Sequence, residues 1–237
     1  MPRTAVIAGV GPGLGTSIAE RFAEEGCSVA LLARSEAYLD DLATRLRAET
    51  PGDALAVSTD LAEPSDIEAA FAEIRDALGN VDVLVNHASA ASWDGLLEQS
   101  TDDFRRAMAV GPEAAFRCSQ EAVSDMLDGD GGTVIFTGAT TSVRGRTGSV
   151  GFSAAKFASR GLAQSMAQEL GSEGVHVAHV VLDGVIRPPG GVPEDETQSY
   201  LDPDAIAERY WSLVEQSTDT MDFEVHLTNG DGTVEFL

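Results

Sequence analysis

The sequence predicts a single α/β domain in which a parallel, doubly wound sheet of about seven strands carries helices on both faces. Three observations point there. Short apolar segments, mostly β-branched, alternate along the whole chain with longer segments whose apolar residues recur at three and four. No linker or internal repeat divides the 237 residues, so 1–237 reads as one domain. A run of glycines stands between the first strand-like segment and the first helical one.

Each element follows from its residues. Residues 4–9 form the first predicted strand, apolar throughout as a strand covered on both faces must be, and 14–25 form the helix after it. The pattern repeats with strand 28–33, helix 36–49, strand 54–58 and helix 65–78, the last preceded by Pro64, which suits a helix start. Strand 81–86 leads to a long helix over 101–127, then strand 133–138, helix 152–170 and strand 175–182. Pro203 opens a helix over 204–215, and 223–228 supply a seventh strand. Strand, helix, strand in sequence demands right-handed crossovers and a parallel sheet. In such a sheet ligands bind beyond the carboxyl ends of the strands, where the strand order reverses, so the loops that follow strands are the informative ones.

Composition bounds the partners. The 39 acidic side chains against 15 basic ones leave a formal charge of −24, yet 43% of residues are apolar, which is a folded domain and not an acidic tail. The acids are spread in ones and twos, with Glu194-Asp195-Glu196 the longer block, and lysine is nearly absent; a surface adapted to high salt is expected. Such a charge repels phosphate backbones and anionic lipid, so the expected partners are small molecules, with neither nucleic acid nor membrane. The start of the chain has no small-residue cleavage site and no stretch nears a spanning length, so a cytoplasmic location is expected. Cys27 and Cys118 lack metal-ligand spacing, and one disulfide between them is open on count alone. His176 and His179 fall on opposite faces of a strand, which argues against a shared metal, and no metal site is expected.

The glycine run reads Gly9-Val10-Gly11-Pro12-Gly13-Leu14-Gly15. Glycines there permit a tight turn, close approach of backbone to a pyrophosphate and tight packing of helix on strand, while the helix N-terminus faces the anion. The spacing of Gly9, Gly13 and Gly15 is G-x-x-x-G-x-G, and no Gly-Lys-Ser/Thr follows, so this is a Rossmann-like dinucleotide loop and not a P-loop. About twenty residues further on, where a carboxylate would hold a ribose 2′-hydroxyl, stand Ala33 and Arg34. A guanidinium pairs with a 2′-phosphate, so NADP(H) is favoured over NAD(H); the plain alternative is an arginine that solvates the start of the next helix. Lys156 is the chain's one lysine among fifteen basic residues, in Phe152-Ser153-Ala154-Ala155-Lys156, a position that asks for an ammonium where every other base is arginine.

Taken together the chain resembles the short-chain dehydrogenase/reductase family over most of its length. The resemblance rests on Gly9 to Gly15, Asp60-Leu61 after the third strand, Asn86-His87-Ala88-Ser89 after the fourth, Phe152 to Lys156, and Asp183-Gly184 after the sixth. It implies that Gly9, Gly11, Gly13, Leu14, Gly15, Arg34, Lys156 and Gly184 hold the dinucleotide, with Asp60 and Leu61 beside the adenine and Asn86 and Ala88 near a ribose. It implies also that residues 187–202 cover the substrate and that the helices at 101–127 and 152–170 pair copies into a homodimer or homotetramer. Trp93 and Trp211 are either pocket walls or partial core.

The family's catalytic pattern is broken. It uses a tyrosine proton donor, a lysine four residues later, a serine thirteen before the tyrosine and often an asparagine in the preceding long helix; here those positions are Phe152, Lys156, Ala139 and Gly111. A phenyl ring and a methyl group have no proton to give, and general acid/base catalysis contributes about 10²- to 10⁴-fold, roughly 3 to 5 kcal/mol of barrier. Thr140, Thr141, Ser142, Ser149 and Ser153 lie near the altered positions, and His87 is the nearest residue with a useful pKa, but each has an ordinary loop or cap role open to it. Two functions are therefore expected to compete. One is an NADP(H)-dependent oxidoreductase that acts on a carbonyl or alcohol through a proton donor other than tyrosine. The other is a catalytically degenerate dinucleotide-binding pseudoenzyme that serves as a sensor or assembly partner.

Overall fold

The computed structural model describes residues 2–192, 199–217 and 219–229. Seven strands run β1 (Thr4–Ala8), β2 (Ser28–Ala33), β3 (Asp53–Ser58), β4 (Val83–Asn86), β5 (Gly132–Thr137), β6 (Val175–Asp183) and β7 (Glu224–Thr228). They lie in the order β3-β2-β1-β4-β5-β6-β7, every pair parallel, so the order reverses between β1 and β4. The expected sheet is the observed one.

Helices cover both faces. On one face lie α1 (Leu14–Glu24), α2 (Glu36–Glu49) and α7 (Pro203–Val214), packed on Ala5, Ile7, Val29, Leu31, Val85 and Val180. On the other lie α3 (Pro64–Leu78), α5 (Ala114–Asp128) and α6 (Val150–Leu170), packed on Val6, Ala8, Ala30, Leu32, Val134 and Phe136. Successive residues of β1 thus alternate between two cores, which is why its sequence shows no polar alternation. Burial of a side chain such as Phe22, Phe71 or Phe136, each fully enclosed, contributes roughly 1.5–3 kcal/mol. Cys27 belongs to the first core and Cys118 to the second, and both are free thiols, so the sheet itself keeps them from pairing. No helix among the described residues is long and apolar enough to cross a membrane.

One element departs from expectation. The helix expected over 101–127 is broken into α4 (Thr101–Met108), a π-helical turn Ala109–Glu113 and α5. Pro112 has no N–H to give and crowds the carbonyl four residues back, so the ladder widens there and the Ala114 N–H reaches back to the Ala109 carbonyl. The break aims Gly111 at α6, where a β-carbon on it would meet the Ala155 methyl at 3.4 Å.

The loop after β6 is anchored at its base. Ile186 and Leu201 form a parallel bridge, Arg187 N–H donates to the Leu201 carbonyl at 2.9 Å, and Leu201 N–H donates to the Val185 carbonyl at 2.8 Å. Of the expected substrate loop at 187–202, residues 193–198 lie outside the described residues.

Candidate functional site

Two clefts open at the carboxyl end of the sheet and share His87 and Ser89. The first, about 490 Å³, is lined by Gly9, Gly11, Leu14 and Gly15 of the glycine loop together with Ala33, Arg34, Asp60, Leu61, Ala88, Asp103 and Arg106. The second, about 430 Å³, is walled by Trp93, Ala139, Thr140, Thr141, Arg146, Phe152, Lys156, Gly184 and Ile186. A crevice of about 10 Å³ beneath Ala88 touches Asn86, Gly111, Lys156 and Ser159.

The glycines earn their place sterically. Gly9 has φ +111°, and a β-carbon on it would lie 2.5 Å from the Ala88 nitrogen; at Gly15 it would lie 2.9 Å from the Gly9 carbonyl oxygen. The first turn of α1 therefore presses directly on the end of β1 and opens its N-terminus to the cleft through Leu14 and Gly15. Gly11 lines the same cleft and a β-carbon there would meet nothing within 4 Å, so it is free space for a ligand that this glycine preserves. Gly9→Ala is expected to cost about 3 kcal/mol through overpacking and the left-handed backbone, and to lower the thermal unfolding midpoint by roughly 10 °C. A calorimetric scan that shows no change would contradict this geometry.

Burial and missing partners mark the bases. Lys156, on α6, is 8% exposed, and its ammonium donates to the Thr137 carbonyl at 2.8 Å and sits 5.6 Å from the centre of the Phe152 ring. No carboxylate pairs with it among the described residues, and burial draws its pKa down to about 8. Most arginines pair with acids, but Arg34, Arg106 and Arg146, all of which line the clefts, make no ion pair among the described residues. Arg34 and Arg106 stand on the first cleft and Arg146 on the second, so each cleft keeps positive charge in a chain that is otherwise strongly negative.

His87 stands where the clefts meet. Its Nδ1 lies 3.1 Å from the Thr137 hydroxyl, which itself accepts a hydrogen bond of 2.9 Å from the fully buried Tyr210 hydroxyl on α7. Burial first, and then the Lys156 charge, push the His87 pKa down to about 4. At neutral pH the ring is uncharged, which removes it as a ready general acid.

The remaining expected positions divide. Gly9, Gly11, Leu14, Gly15, Arg34, Asp60, Leu61 and Ala88 all line the first cleft. Gly13 does not line it: with φ +105° it caps α1, near the Pro189 ring. Asn86 turns its amide to the Ser119 hydroxyl at 3.1 Å and faces the lower crevice. Gly184 faces the second cleft, beside Leu201. Asp60 accepts from the Ala62 N–H at 3.1 Å, an ordinary turn bond that leaves it on the cleft wall.

Among the hydroxyls, Thr140 donates to Asp183 at 2.5 Å, Ser142 accepts from Ala139 N–H at 3.0 Å, and Ser149 lies 3.2 Å from Ser153. Thr141, 2% exposed on the second cleft, keeps a hydroxyl without a hydrogen-bond partner among the described residues. Trp93 packs its ring 5.4 Å from Phe152 on the cleft wall, whereas Trp211 packs against Phe22 beneath α1. His176 bonds the carbonyls of Leu213 and Asp222, and His179 bonds Glu224, so the two rings serve separate parts of the fold. Arg106 and Thr137 line the clefts and Tyr210 bonds to Thr137, and sequence reasoning missed all three. The absence of an ion-pair partner and a hydrogen bond across 73 residues are tertiary properties with no local signal.

Comparison with known proteins agrees with this fold. The profile of the short chain dehydrogenase family matches residues 3–193. A 3alpha-hydroxysteroid dehydrogenase of Mediterraneibacter gnavus is 27% identical over 78% of this chain and 74% of its own length. The meso-2,3-butanediol dehydrogenase of Serratia marcescens is 32% identical over 75% of this chain and 69% of its own. Among solved structures, an alcohol dehydrogenase from Thermococcus sibiricus complexed with 5-hydroxy-NADP superposes with a TM-score of 0.90 at 25% identity, covering 100% of both chains.

Proposed function

Since this chain belongs to the short-chain dehydrogenase family, we propose that it is an NADP(H)-binding oxidoreductase that acts on a carbonyl or alcohol through a proton donor other than tyrosine. The observation that carries the reading is Lys156. A buried ammonium can donate three hydrogen bonds, and here one goes to Thr137 while no acid among the described residues neutralises the charge. Such a group is costly to the ligand-free fold unless a polyhydroxyl ligand completes it. A ribose diol does so, and the residues around it fit the rest of a dinucleotide: the glycine loop for the pyrophosphate, Leu61 for the adenine, Arg34 and Arg106 for an added phosphate. The NADP-type ligand of the Thermococcus neighbour supports the same class.

When bound, NADPH would supply the hydride; the proton is the protein's task. Phe152 and Ala139 offer none, and His87 is uncharged. Burial lowers the Lys156 pKa to about 8, so of the groups in the second cleft it is the one best matched to proton transfer at physiological pH. Arg146 lines the same cleft, but a guanidinium does not release its proton. Exposed Phe104, Phe116 and Phe157 on α4, α5 and α6 support a homodimer or homotetramer assembled through those helices.

A second reading has its own observation. The Trp93–Phe152 ring pair makes the cleft wall apolar where the family's acid would stand, as a binding module without chemistry would allow. Saturable NADPH binding with no turnover across a panel of carbonyls would favour it.

The cofactor assignment is tested at Arg34. Arg34→Asp removes a charge-assisted pair to the 2′-phosphate and adds repulsion, so the ratio of NADPH to NADH affinity is expected to fall at least about tenfold. Fluorescence titration of both nucleotides reads this ratio, and an unchanged value would remove Arg34 from the site.

A further inference from the structure

We propose that His87 is a cofactor-binding residue, its Nε2–H donating to the phosphate that the glycine loop seats, with Thr137 and Tyr210 as the positioning residues that fix its tautomer. The inference rests on the dinucleotide reading above and adds a residue to it.

The argument is one of hydrogen-bond accounting. Tyr210 donates to the Thr137 hydroxyl, whose only other side-chain partner among the described residues is His87 Nδ1. The Thr137 hydroxyl has two lone pairs and one proton; Tyr210 fills one lone pair, and His87 Nδ1 is the one acceptor offered to the proton among the described residues, so satisfying that proton assigns Nδ1 as the unprotonated, accepting nitrogen. The proton of the neutral ring is left on Nε2. The direction of that nitrogen follows from Gly15: a β-carbon there would lie 3.4 Å from His87 Cδ2, the atom bonded to Nε2. The Cδ2–Nε2 edge therefore lies against the first turn of α1, in the cleft lined by Gly9, Gly11 and Gly15. Nε2 has no hydrogen-bond partner among the described residues, and His87 is partly exposed and lines the cleft. A neutral N–H donor held at a helix N-terminus suits a phosphate oxygen, and the ring's low pKa, caused by burial and the Lys156 charge, agrees with a neutral imidazole.

Thr137 gains a double function from this. Its carbonyl holds Lys156 and its hydroxyl orients His87, so one residue at the end of β5 sets both donors.

The test uses two ligands at molar KCl. Adenosine 2′-monophosphate carries the adenosine and 2′-phosphate ends but has no 5′-phosphate for the glycine loop to seat. His87→Ala should weaken NADPH roughly ten- to hundredfold and leave the monophosphate unchanged, while His87→Gln, which keeps an N–H donor at similar reach, should recover much of the loss. Nitrogen-15 NMR of the wild-type imidazoles, assigned by the signal missing in His87→Ala, should show Nε2 protonated and Nδ1 bare; Thr137→Val should mix the tautomers. A His87→Ala protein that binds NADPH like the wild type, one that loses both ligands alike, or a wild-type spectrum with Nδ1 protonated would each overturn the proposal. A wild type that binds neither ligand would instead overturn the dinucleotide reading beneath it.

Discussion

Lys156→Met is expected to stabilise the ligand-free protein by about 2 kcal/mol at pH 7 and to weaken NADPH binding by about a hundredfold. The two effects have one origin. Burial lowers the ammonium's pKa from 10.5 to about 8, which corresponds to a penalty of roughly 3 kcal/mol on the charged form; loss of the bond to the Thr137 carbonyl returns about 1 kcal/mol of it. The sign with pH follows from linkage. Between pH 8 and 10.5 the unfolded wild type binds more protons at this site than the folded one, so its stability rises with pH across that window, while the methionine variant lacks the rise. The advantage of the variant should therefore be greatest below pH 8 and shrink towards pH 10.5. Urea denaturation of both proteins at several pH values measures it. A variant less stable than wild type at pH 7, with NADPH affinity intact, would show that the lysine is structural.

Phe152→Tyr combined with Ala139→Ser is expected to raise carbonyl reduction about 10²- to 10⁴-fold in kcat/KM. Both positions line the second cleft, and the Lys156 ammonium already lies 5.6 Å from the Phe152 ring centre. A phenol placed there would have its pKa drawn down by that charge, and a serine at 139 would give the substrate oxygen a second hydrogen bond. The gain should vanish when Lys156→Ala is added. NADPH oxidation followed across a panel of aldehydes and ketones reads the outcome. A double variant that binds NADPH like the wild type yet gains nothing would mean that the substrate cleft is not built for this chemistry.

What was legible in the sequence was what local pattern encodes. Apolar runs such as 4–9 and 28–33 reveal strands buried on both faces, and Gly9, Gly13 and Gly15 mark a turn whose tightness the structure measures directly at Ala88. Lys156 was legible by rarity. The π-helical turn at Ala109–Glu113 was not, although Pro112 stood in plain view, because apolar recurrence at three and four continues on either side of a one-residue phase shift. Asn86 points to Ser119 instead of the main cleft because side chains alternate along β4, and the register that decides the face comes from β1 and β5. The Tyr210–Thr137–His87 chain depends on where α7 lands on the sheet, which no window of sequence contains.

The central claim is that the cleft at the β1/β4 reversal is a dinucleotide site with a preference for the 2′-phosphate. Isothermal titration of the wild-type protein with NADPH and with NADH in molar KCl tests it most directly. Saturable binding of NADPH, tighter than that of NADH, is the predicted result; heat of dilution alone for both nucleotides would contradict it.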